Sequence, residues 1–596
     1  MATKNPLVYL LRKNWHYSEG NRKKVVWIWL MFIIAESVEL FAQPILWAKI
    51  MDVIQKRGIS QASIKTLLGL LALTLLVTLA FWSLHGPARV IEQDNSFIVR
   101  LNYRKHLLRG VITLPLEWHT DHHSGDTIDK IEKGTNALYA FSEYSFQVIY
   151  AVVQLIGSYA MLVYFNPPAG YIVLSMMLLS AWITMRFDRV LIGQYEELNH
   201  AENNISESVF DAVSNITTVV ILRVERLVFG AIMRKAEKPF ALFRKNARLC
   251  ELKWFLTNVC CAVMTVLVMG VYFWRNIGTP QGILIGSVYL LVQYSGKISE
   301  LFFKFTSMYG DVLVRKARVM NSEELSLEFT AESLTNHVLP ADWRCLEVEG
   351  LNFSYSGNGS DDLHLRDITL LIKHGERLAF VGESGSGKTT LLKVMRDLYR
   401  PGNLTLSVDG RIITDGFGGI SRAMALVPQD PEIFATTIIE NITLGAEYDL
   451  DFVRRFTDMA CFTDVAESLP RKFDSSIKER GVNLSGGQQQ RLALARGLLA
   501  CHDKDIVLLD EPTSSLDAVT EMRIYENILG EFKNKTIISS VHRLHLLPYF
   551  DRIYLFGDGR IIALGTLGEL LAGCSDFRNM WHQYFEQERS QKQSGR

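Results

Sequence analysis

The apolar positions of this 596-residue chain are concentrated in long, nearly uncharged runs within its first half. A membrane-spanning helix needs about 20 consecutive apolar residues, and each run approaches that length. One run could be a buried helix of a soluble protein, but six in order predict a polytopic α-helical membrane domain. The predicted spans are Val25–Ala48, Leu67–Leu84, Phe141–Phe165, Gly170–Met185, Phe255–Phe273 and Gly282–Phe305.

The segments between these spans predict the orientation of the domain. The connections between spans two and three and between spans four and five are long and rich in Lys and Arg, and the N-terminus is basic. Because positively charged loops stay in the cytoplasm, both long connections and both termini are predicted to be cytoplasmic. The polar flanks keep a helical pattern, for example Asp211–Arg226, so the helices are predicted to extend well beyond the membrane.

A change in composition near Asn321–Asp342 marks a linker. From Cys345 onward, short β-rich runs alternate with helical stretches, which predicts an α/β domain with a parallel sheet. The predicted domains are therefore a membrane domain over residues 1–320, a linker over 321–342 and an α/β domain over 343–590. The predicted strands include Leu378–Val381, Ala423–Val427, Ile506–Leu509, Thr536–Ser539 and Ile553–Phe556.

Composition agrees with this division and excludes some partners. The mean hydropathy is +0.11 although 21% of the residues are charged, as expected when an apolar membrane region is joined to a soluble one. Lys and Arg together balance Asp and Glu at 63 each, so the formal net charge is +0 and no basic excess favours a nucleic acid partner.

A loop in the α/β domain has the Gly-x-x-x-x-Gly-Lys-Thr pattern of a phosphate-binding loop between a strand and a helix. Its glycines let backbone N–H groups turn toward phosphate oxygens, and the helix N-terminus favours negative charge. Lys388 is predicted to neutralise the β- and γ-phosphates, and the Thr389 hydroxyl to bind Mg²⁺. The predicted nucleotide-binding residues here are Gly382, Glu383, Ser384, Gly385, Ser386, Gly387, Lys388, Thr389 and Thr390.

A second site element is the apolar strand that ends in Asp510 and Glu511. Two adjacent carboxylates after a buried strand need a cation or polar partner. Asp510 is predicted to hold Mg²⁺, and Glu511 to orient and deprotonate an attacking water molecule.

The whole chain resembles a half-transporter of the ATP-binding-cassette (ABC) exporter superfamily, whose motifs are specific in the α/β domain. Leu484-Ser485-Gly486-Gly487-Gln488 matches the LSGGQ signature of that family. The resemblance implies that Tyr355 stacks on adenine and that Gln429 senses Mg²⁺. It also implies that Asp517 belongs to the D-loop and that His542 is the switch residue that contacts the γ-phosphate. It also implies that a short coupling helix near Trp118–His123 docks on the nucleotide-binding domain.

The resemblance implies a homodimer in which ATP and Mg²⁺ lie between the phosphate loop of one subunit and the signature of the other. Ser485, Gly486, Gly487 and Gln488 then serve the partner's nucleotide. The implied function is ATP-driven export or flipping of an amphipathic, lipid-like, drug-like or peptide-like substrate across the bilayer, for a bacterial protein of the inner membrane. An alternative is an ATP-gated channel or regulatory protein on the same scaffold.

Charged residues inside the predicted spans have two interpretations. Glu36 and Glu39 share a face of the first span, and Lys297, Glu300 and Lys304 share a face of the sixth. One interpretation is that they line a polar cargo path or a proton- or ion-linked gate. The other is that Glu36 and Glu39 pair with Lys297 and Lys304 across the bundle and only stabilise it.

Overall fold

The computed structural model describes residues 5–122, 124–278, 282–329, 339–340, 342–355, 363–430, 432–477 and 484–594. The chain forms two compact units. The first comprises Met1–Thr113 and His123–Phe329, and the second comprises Leu114–His122 and Thr330–Arg596. The short helix Leu116–Asp121 therefore belongs to the same unit as the C-terminal half, although the residues before and after this segment belong to the first unit.

The first unit is helical. Its helices are α1 (Pro6–Tyr17), α2 (Arg22–Arg57), α3 (Gln61–Ile112), α5 (Ser124–Glu143), α6 (Phe146–Phe165), α7 (Pro167–Ser214), α8 (Ile216–Ile221), α9 (Glu225–Glu237), α10 (Phe240–Asn276) and α11 (Ile285–Leu327), with α4 (Leu116–Asp121) in the second unit. Among the residues that the structure describes, the helical stretches long and apolar enough to cross a membrane are α2, α3, α6, α7 and Glu225–Asn276.

Several predicted boundaries differ from the structure. The predicted sixth span corresponds to α11, which is 43 residues long but is less apolar than the other five because polar and charged residues interrupt its run. This helix continues to Leu327, so the predicted linker 321–342 begins inside it, and residues 330–338 and 341 of that linker lie outside the described residues. The predicted helix Asp211–Arg226 is also interrupted, because α7 ends at Ser214 and Arg223 has a φ of 54°.

The predicted third span, Phe141–Phe165, corresponds to α6, but α6 begins only at Phe146, and the first three residues of the predicted span form the end of α5. An ion pair on α3, between Arg89 and Glu92, bonds to the end of α5 and to the start of α6. The Arg89 guanidinium donates to the carbonyl of Glu143 at 2.7 Å, at the end of α5. The Glu92 carboxylate accepts the backbone N–H of Phe146 at 2.8 Å and the Ser145 hydroxyl at 2.6 Å. These groups satisfy donors and acceptors that a helix end leaves without partners.

In the part of the chain that the structure describes, the predicted pairing of Glu36 and Glu39 with the lysines of the sixth span is not formed. Glu36 is buried and accepts a hydrogen bond from Gln154 at 3.4 Å, with His85 at 3.7 Å. Lys304 pairs with Glu300 on its own helix at 3.2 Å. Among the described residues, neither Glu36 nor Glu39 lies within 4 Å of a lysine ammonium group of α11.

The second unit contains two sheets. The strands are β1 (Cys345–Phe353), β2 (Leu365–Lys373), β3 (Arg377–Gly382), β4 (Asn403–Val408), β5 (Arg411–Ile412), β6 (Met424–Val427), β7 (Ile506–Asp510), β8 (Thr536–Ser540), β9 (Arg552–Gly557) and β10 (Arg560–Gly565). One sheet is antiparallel, in the order β2-β1-β4-β5. The other has the order β10-β9-β3-β8-β7-β6 and is parallel except for its edge strand β10.

Helices surround these sheets. They are α12 (Lys388–Met395), α13 (Ile438–Thr443), α14 (Leu450–Met459), α15 (Thr463–Ser468), α16 (Gly486–Ala500), α17 (Ala518–Glu531), α18 (Leu567–Gly573) and α19 (Ser575–Ser594). Short 3-10 helices lie at Gly416–Gly419, Ser421–Ala423, Lys472–Asp474 and Leu544–Tyr549.

The parallel sheet is buried on both faces, which confirms the predicted α/β class. The residues of β3 alternate between two apolar cores. Ala379 and Val381 belong to one core, and Leu378 and Phe380 belong to the other. Because parallel strands end at one edge, the residues that follow β3, β6, β7 and β8 converge there. That edge carries the candidate site.

Candidate active site

The phosphate loop follows β3 and leads into α12, as predicted. Gly382, Gly385 and Gly387 have φ values of 153°, 82° and 103°. A Cβ atom on Gly382 would lie 2.3 Å from the carbonyl oxygen of Phe556, so only glycine fits there. The Lys388 ammonium donates to the carbonyls of Gly382 and Glu383, both at 2.9 Å, and burial lowers the pKa of Lys388. The loop thus holds a buried cation inside a turn of backbone groups.

Asp510 ends β7 and is 2% exposed. Its Oδ1 atom accepts the Thr389 hydroxyl at 2.8 Å and the Ser540 hydroxyl at 2.8 Å. Two predicted Mg²⁺ ligands, Thr389 and Asp510, are therefore side by side. Hydroxyl and carboxylate oxygens are the ligands that Mg²⁺ takes in proteins, so the residues present fit that ion.

Glu511 brings together the predicted catalytic residues. Its Oε2 atom accepts a hydrogen bond from Gln429 at 3.0 Å, and its Oε1 atom lies 2.5 Å from His542 Nε2. Burial raises the pKa of Glu511, while the His542 ring and the Lys388 ammonium oppose that rise. A carboxylate with a raised pKa that is held by two polar neighbours is suited to accept a proton from water.

The backbone of Glu511 has a left-handed conformation, with a φ of 45°. This conformation costs a non-glycine residue about 1–2 kcal/mol. The Glu511 N–H donates to the Ser540 hydroxyl at 3.1 Å, which helps to hold the turn. Strain of this kind is concentrated at functional sites.

Tyr355 lies in a cluster of rings beside α12. Its hydroxyl donates to Thr390 at 3.3 Å, and its ring is in edge contact with His364 and Tyr399, at centroid distances of 5.0 Å each. The side chain is 45% exposed. A fixed, half-exposed aromatic ring is suited to stack on a base.

The signature and D-loop residues cap helices and do not join the phosphate loop. Ser485 caps α16, where its hydroxyl accepts the Gln488 N–H at 3.3 Å, and the Gln488 side chain accepts the Ser485 N–H at 2.9 Å. Asp517 caps α17 through the Thr520 N–H at 2.9 Å, which lowers the pKa of Asp517. Within the described parts of the chain, Ser485 and Asp517 make no hydrogen bond to residues 382–390.

Two residues of the site were not predicted from the sequence. Ser540 bonds to both Asp510 and Glu511, and Tyr399 completes the ring cluster around Tyr355. Ser540 could have been found from the pairing of the strands, because β8 lies beside β7 and places Ser540 opposite Asp510. A polar residue at the end of the adjacent strand is the signal. Tyr399 gives no comparable signal, since it follows α12 in an irregular segment.

Comparisons with known proteins agree with this architecture. Residues 26–297 match the family model described as ABC transporter transmembrane region, and residues 365–514 match the model described as ABC transporter. The chain is 26% identical over 574 residues to the beta-(1-->2)glucan export ATP-binding/permease protein NdvA of Rhodopseudomonas palustris (strain BisB18), covering 93% of this chain and 92% of that protein.

A second relative is the glutathione/L-cysteine transport system ATP-binding/permease protein CydD of Bacillus subtilis (strain 168). It is 30% identical over 395 residues, which are 65% of this chain and 66% of that protein. Among solved structures, a bacterial Atm1-family ABC exporter with ATP bound has the same fold, with a TM-score of 0.77 and 22% identity over 94% of this chain and 99% of that one. The chain therefore belongs to the ABC transporter family, as a multi-pass membrane exporter fused to an ATP-hydrolysing domain.

Proposed function

We propose that this chain exports an amphipathic substrate by alternating access, as a homodimer that hydrolyses ATP with Mg²⁺ at two composite sites. The observation that carries the proposal is the convergence of Gln429, Glu511 and His542 next to the phosphate loop. The basic connections of the membrane domain support a cytoplasmic nucleotide-binding domain in a bacterial inner membrane.

The residues of the site divide the chemistry between them. Lys388 and the loop N–H groups bind the β- and γ-phosphates, and Tyr355 stacks on the adenine. Glu511 accepts a proton from the attacking water, and His542 holds the Glu511 carboxylate in place at 2.5 Å. Mg²⁺, held by Thr389 and Asp510 with Gln429 nearby, would neutralise charge on the transferred phosphoryl group.

The second half of each composite site is the signature of the partner subunit. Ser485 lies at the N-terminus of α16, where N–H groups and the helix dipole favour an anion. The absence of a bond between this element and residues 382–390 within the described part of the chain supports a role toward a second copy. A two-fold dimer would then contain two equal sites.

Polar groups inside the membrane helices support an amphipathic cargo. Glu36 and Gln154 are buried on α2 and α6, whereas Glu300 and Lys304 of α11 remain partly exposed. Exposed charges are costly against lipid, so this face of α11 is better suited to a water-accessible path. An amphipathic cargo would satisfy both these charges and the surrounding apolar side chains.

Two assays test the proposal: ATP turnover and binding of the purified protein, and transport into inverted membrane vesicles. Glu511→Gln removes the proton acceptor while keeping the shape of the side chain. We expect it to lower ATP turnover by roughly a hundred-fold or more, with ATP binding retained. Transport of a fluorescent amphipathic reporter against its gradient should stop together with hydrolysis.

The control is Glu447→Gln, on the exposed surface of the same domain, which should behave as the wild type. Undiminished turnover in Glu511→Gln would remove Glu511 from the proposed role. Flux of the reporter that only follows its gradient, in wild type and variant alike, would support the gated channel instead.

A further inference from the structure

A second glutamate lies close to the reacting groups without touching them. Glu521 is in the first turns of α17, four residues after the capping residue Asp517, and is only 3% exposed. A carboxylate buried this deeply is stable only when its oxygens are bonded to donors or cations. Its bonding partners therefore show which segments this carboxylate holds together.

The partners of Glu521 come from two segments that carry catalytic residues. Its Oε1 atom accepts the hydroxyl of Thr513 at 2.6 Å, and Thr513 lies two residues after Glu511. Its Oε2 atom accepts the guanidinium of Arg543 at 3.0 Å, and Arg543 directly follows His542. One carboxylate thus joins the segment that positions the base to the segment that positions the histidine.

Arg543 reinforces this connection from the other side. Its second terminal nitrogen donates to the carbonyl of Ser514 at 3.4 Å, so the guanidinium bridges Glu521 and the turn that follows Glu511. His545 approaches the same Glu521 oxygen at 3.4 Å. A planar guanidinium can make two such bonds in a fixed direction, which a lysine cannot do.

The catalytic pair is sensitive to the placement of these segments. The contact between Glu511 and His542 is short, at 2.5 Å, and Glu511 has a left-handed backbone that its surroundings must hold. The turn after Glu511 is closed by the Ser514 N–H on the Glu511 carbonyl at 3.3 Å and continues directly into the residues bound by Glu521 and Arg543. A small misplacement of reacting groups can cost roughly a hundred-fold in rate.

We propose that Glu521, acting through Arg543 and Thr513, is a positioning residue that fixes Glu511 and His542 relative to each other for ATP hydrolysis. The inference rests on the proposed catalytic role of Glu511. It assigns a second, buried acid to the hydrolytic machinery, and it predicts an effect on turnover rather than on nucleotide binding, because Lys388 and Tyr355 are not among the partners of Glu521.

The test is Glu521→Gln in the full-length transporter reconstituted in lipid nanodiscs, with ATPase kinetics and thermal unfolding measured together. Glutamine keeps an acceptor for Thr513 but removes the negative charge opposite Arg543. We expect kcat to fall roughly ten- to hundred-fold, with KM for ATP within about two-fold of the wild type. Unchanged kcat in the folded protein would overturn the proposal.

Two further variants separate positioning from stability. Arg543→Lys keeps the charge of a partly exposed side chain but cannot bridge Glu521 and Ser514, and the same loss of kcat is expected. In the double variant Glu521→Gln/Arg543→Lys the loss should be no larger than in the more impaired single variant, because the two residues act as one unit. Additive losses would contradict the inference, and a wild-type kcat in Arg543→Lys would contradict it even if Glu521→Gln failed to fold.

The matched control is Glu376→Gln, which breaks the ion pair with Arg552 at 2.6 Å in the same domain, before β3 and away from the phosphate loop. It should lower thermal stability without lowering kcat. Wild type and Glu511→Gln are measured in the same assay. Turnover that survives in Glu511→Gln would refute the proposed function, whereas normal turnover in Glu521→Gln alone would refute only the inference.

Discussion

Glu511 shows how one residue can combine a structural cost with a chemical use. It follows β7 directly, yet its φ of 45° turns the chain out of the strand. This turn brings the side chain to Gln429 and His542 instead of continuing into the sheet. The Ser540 hydroxyl stabilises it by bonding to both the Glu511 N–H and Asp510. The strain is thus retained where it positions the carboxylate that we propose as the proton acceptor.

Tyr355 provides a separable prediction at the residue scale. Tyr355→Ala removes the ring that is proposed to stack on adenine, and loss of stacking costs about 1–3 kcal/mol per base. We expect KM for ATP to rise roughly ten- to hundred-fold in steady-state ATPase assays, with little change in kcat. Tyr355→Phe is the matched control, because it keeps the ring and loses only the bond to Thr390. Equal KM values for the alanine and phenylalanine variants would show that the ring does not bind the base.

At the scale of elements, the strands were predictable and some helix ends were not. Each predicted strand of the parallel sheet ends within one residue of the observed strand, because buried strands are short apolar runs bounded by polar residues. Gly382–Thr389 and Asp510-Glu511 lie at the ends of the strands predicted to precede them, since both segments are fixed by those strands. The pairing of Ser485 with Gln488 inside one capping box follows from local spacing.

The break between α5 and α6 could not be predicted, because its cause lies on another helix. The run Phe141–Phe165 has no proline or glycine at the break. The groups that end α5 and begin α6 are Arg89 and Glu92 of α3, more than 50 positions earlier in the chain. For the same reason, the bond network of Glu521 is visible only when α17 and the segment after β8 are folded.

This break leads to a prediction about stability. Glu92→Gln leaves Arg89 without its buried partner, and breaking a buried pair in this way costs on the order of 3–5 kcal/mol. We expect the apparent Tm of the detergent-solubilised protein to fall by several degrees. Glu132→Gln is the control, since it breaks the exposed pair with Arg104 between α3 and α5, worth about 1 kcal/mol or less. A similar Tm for both variants would show that the cap contributes no more than a surface pair.

At the scale of the whole molecule, the two halves of the nucleotide site can be tested in mixed dimers. Lys388→Ala disables the phosphate loop, and Gly486→Asp disables the signature by placing a carboxylate at its helix N-terminus. When the two substitutions are on different subunits, a composite arrangement rebuilds one complete site. Co-purified dimers with two affinity tags should then recover ATPase activity that neither parent dimer has.

The opposite arrangement of the same substitutions is the control. When one subunit carries both and its partner carries neither, each composite site contains one disabled element, and turnover should be lost. If each subunit hydrolysed ATP alone, this second dimer would be the active one and the first would be inactive. The two mixed dimers therefore distinguish sharing between subunits from independent action, with an identical set of substitutions.

The membership of Leu114–His122 in the second unit has a consequence for biosynthesis. This segment, which includes the buried Trp118, is translated more than 200 residues before Thr330, where the rest of its unit begins. At about 5–20 residues per second, the ribosome needs roughly 10–40 s to make the residues between them. During that interval the flanking helices can already insert into the bilayer. The indole ring of Trp118 meanwhile stays exposed in the cytoplasm, because the rest of the second unit has not yet been made. The nascent chain therefore presents a chaperone-accessible segment whose lifetime is set by translation speed, so slowing synthesis of the second half should lengthen the exposure of Trp118.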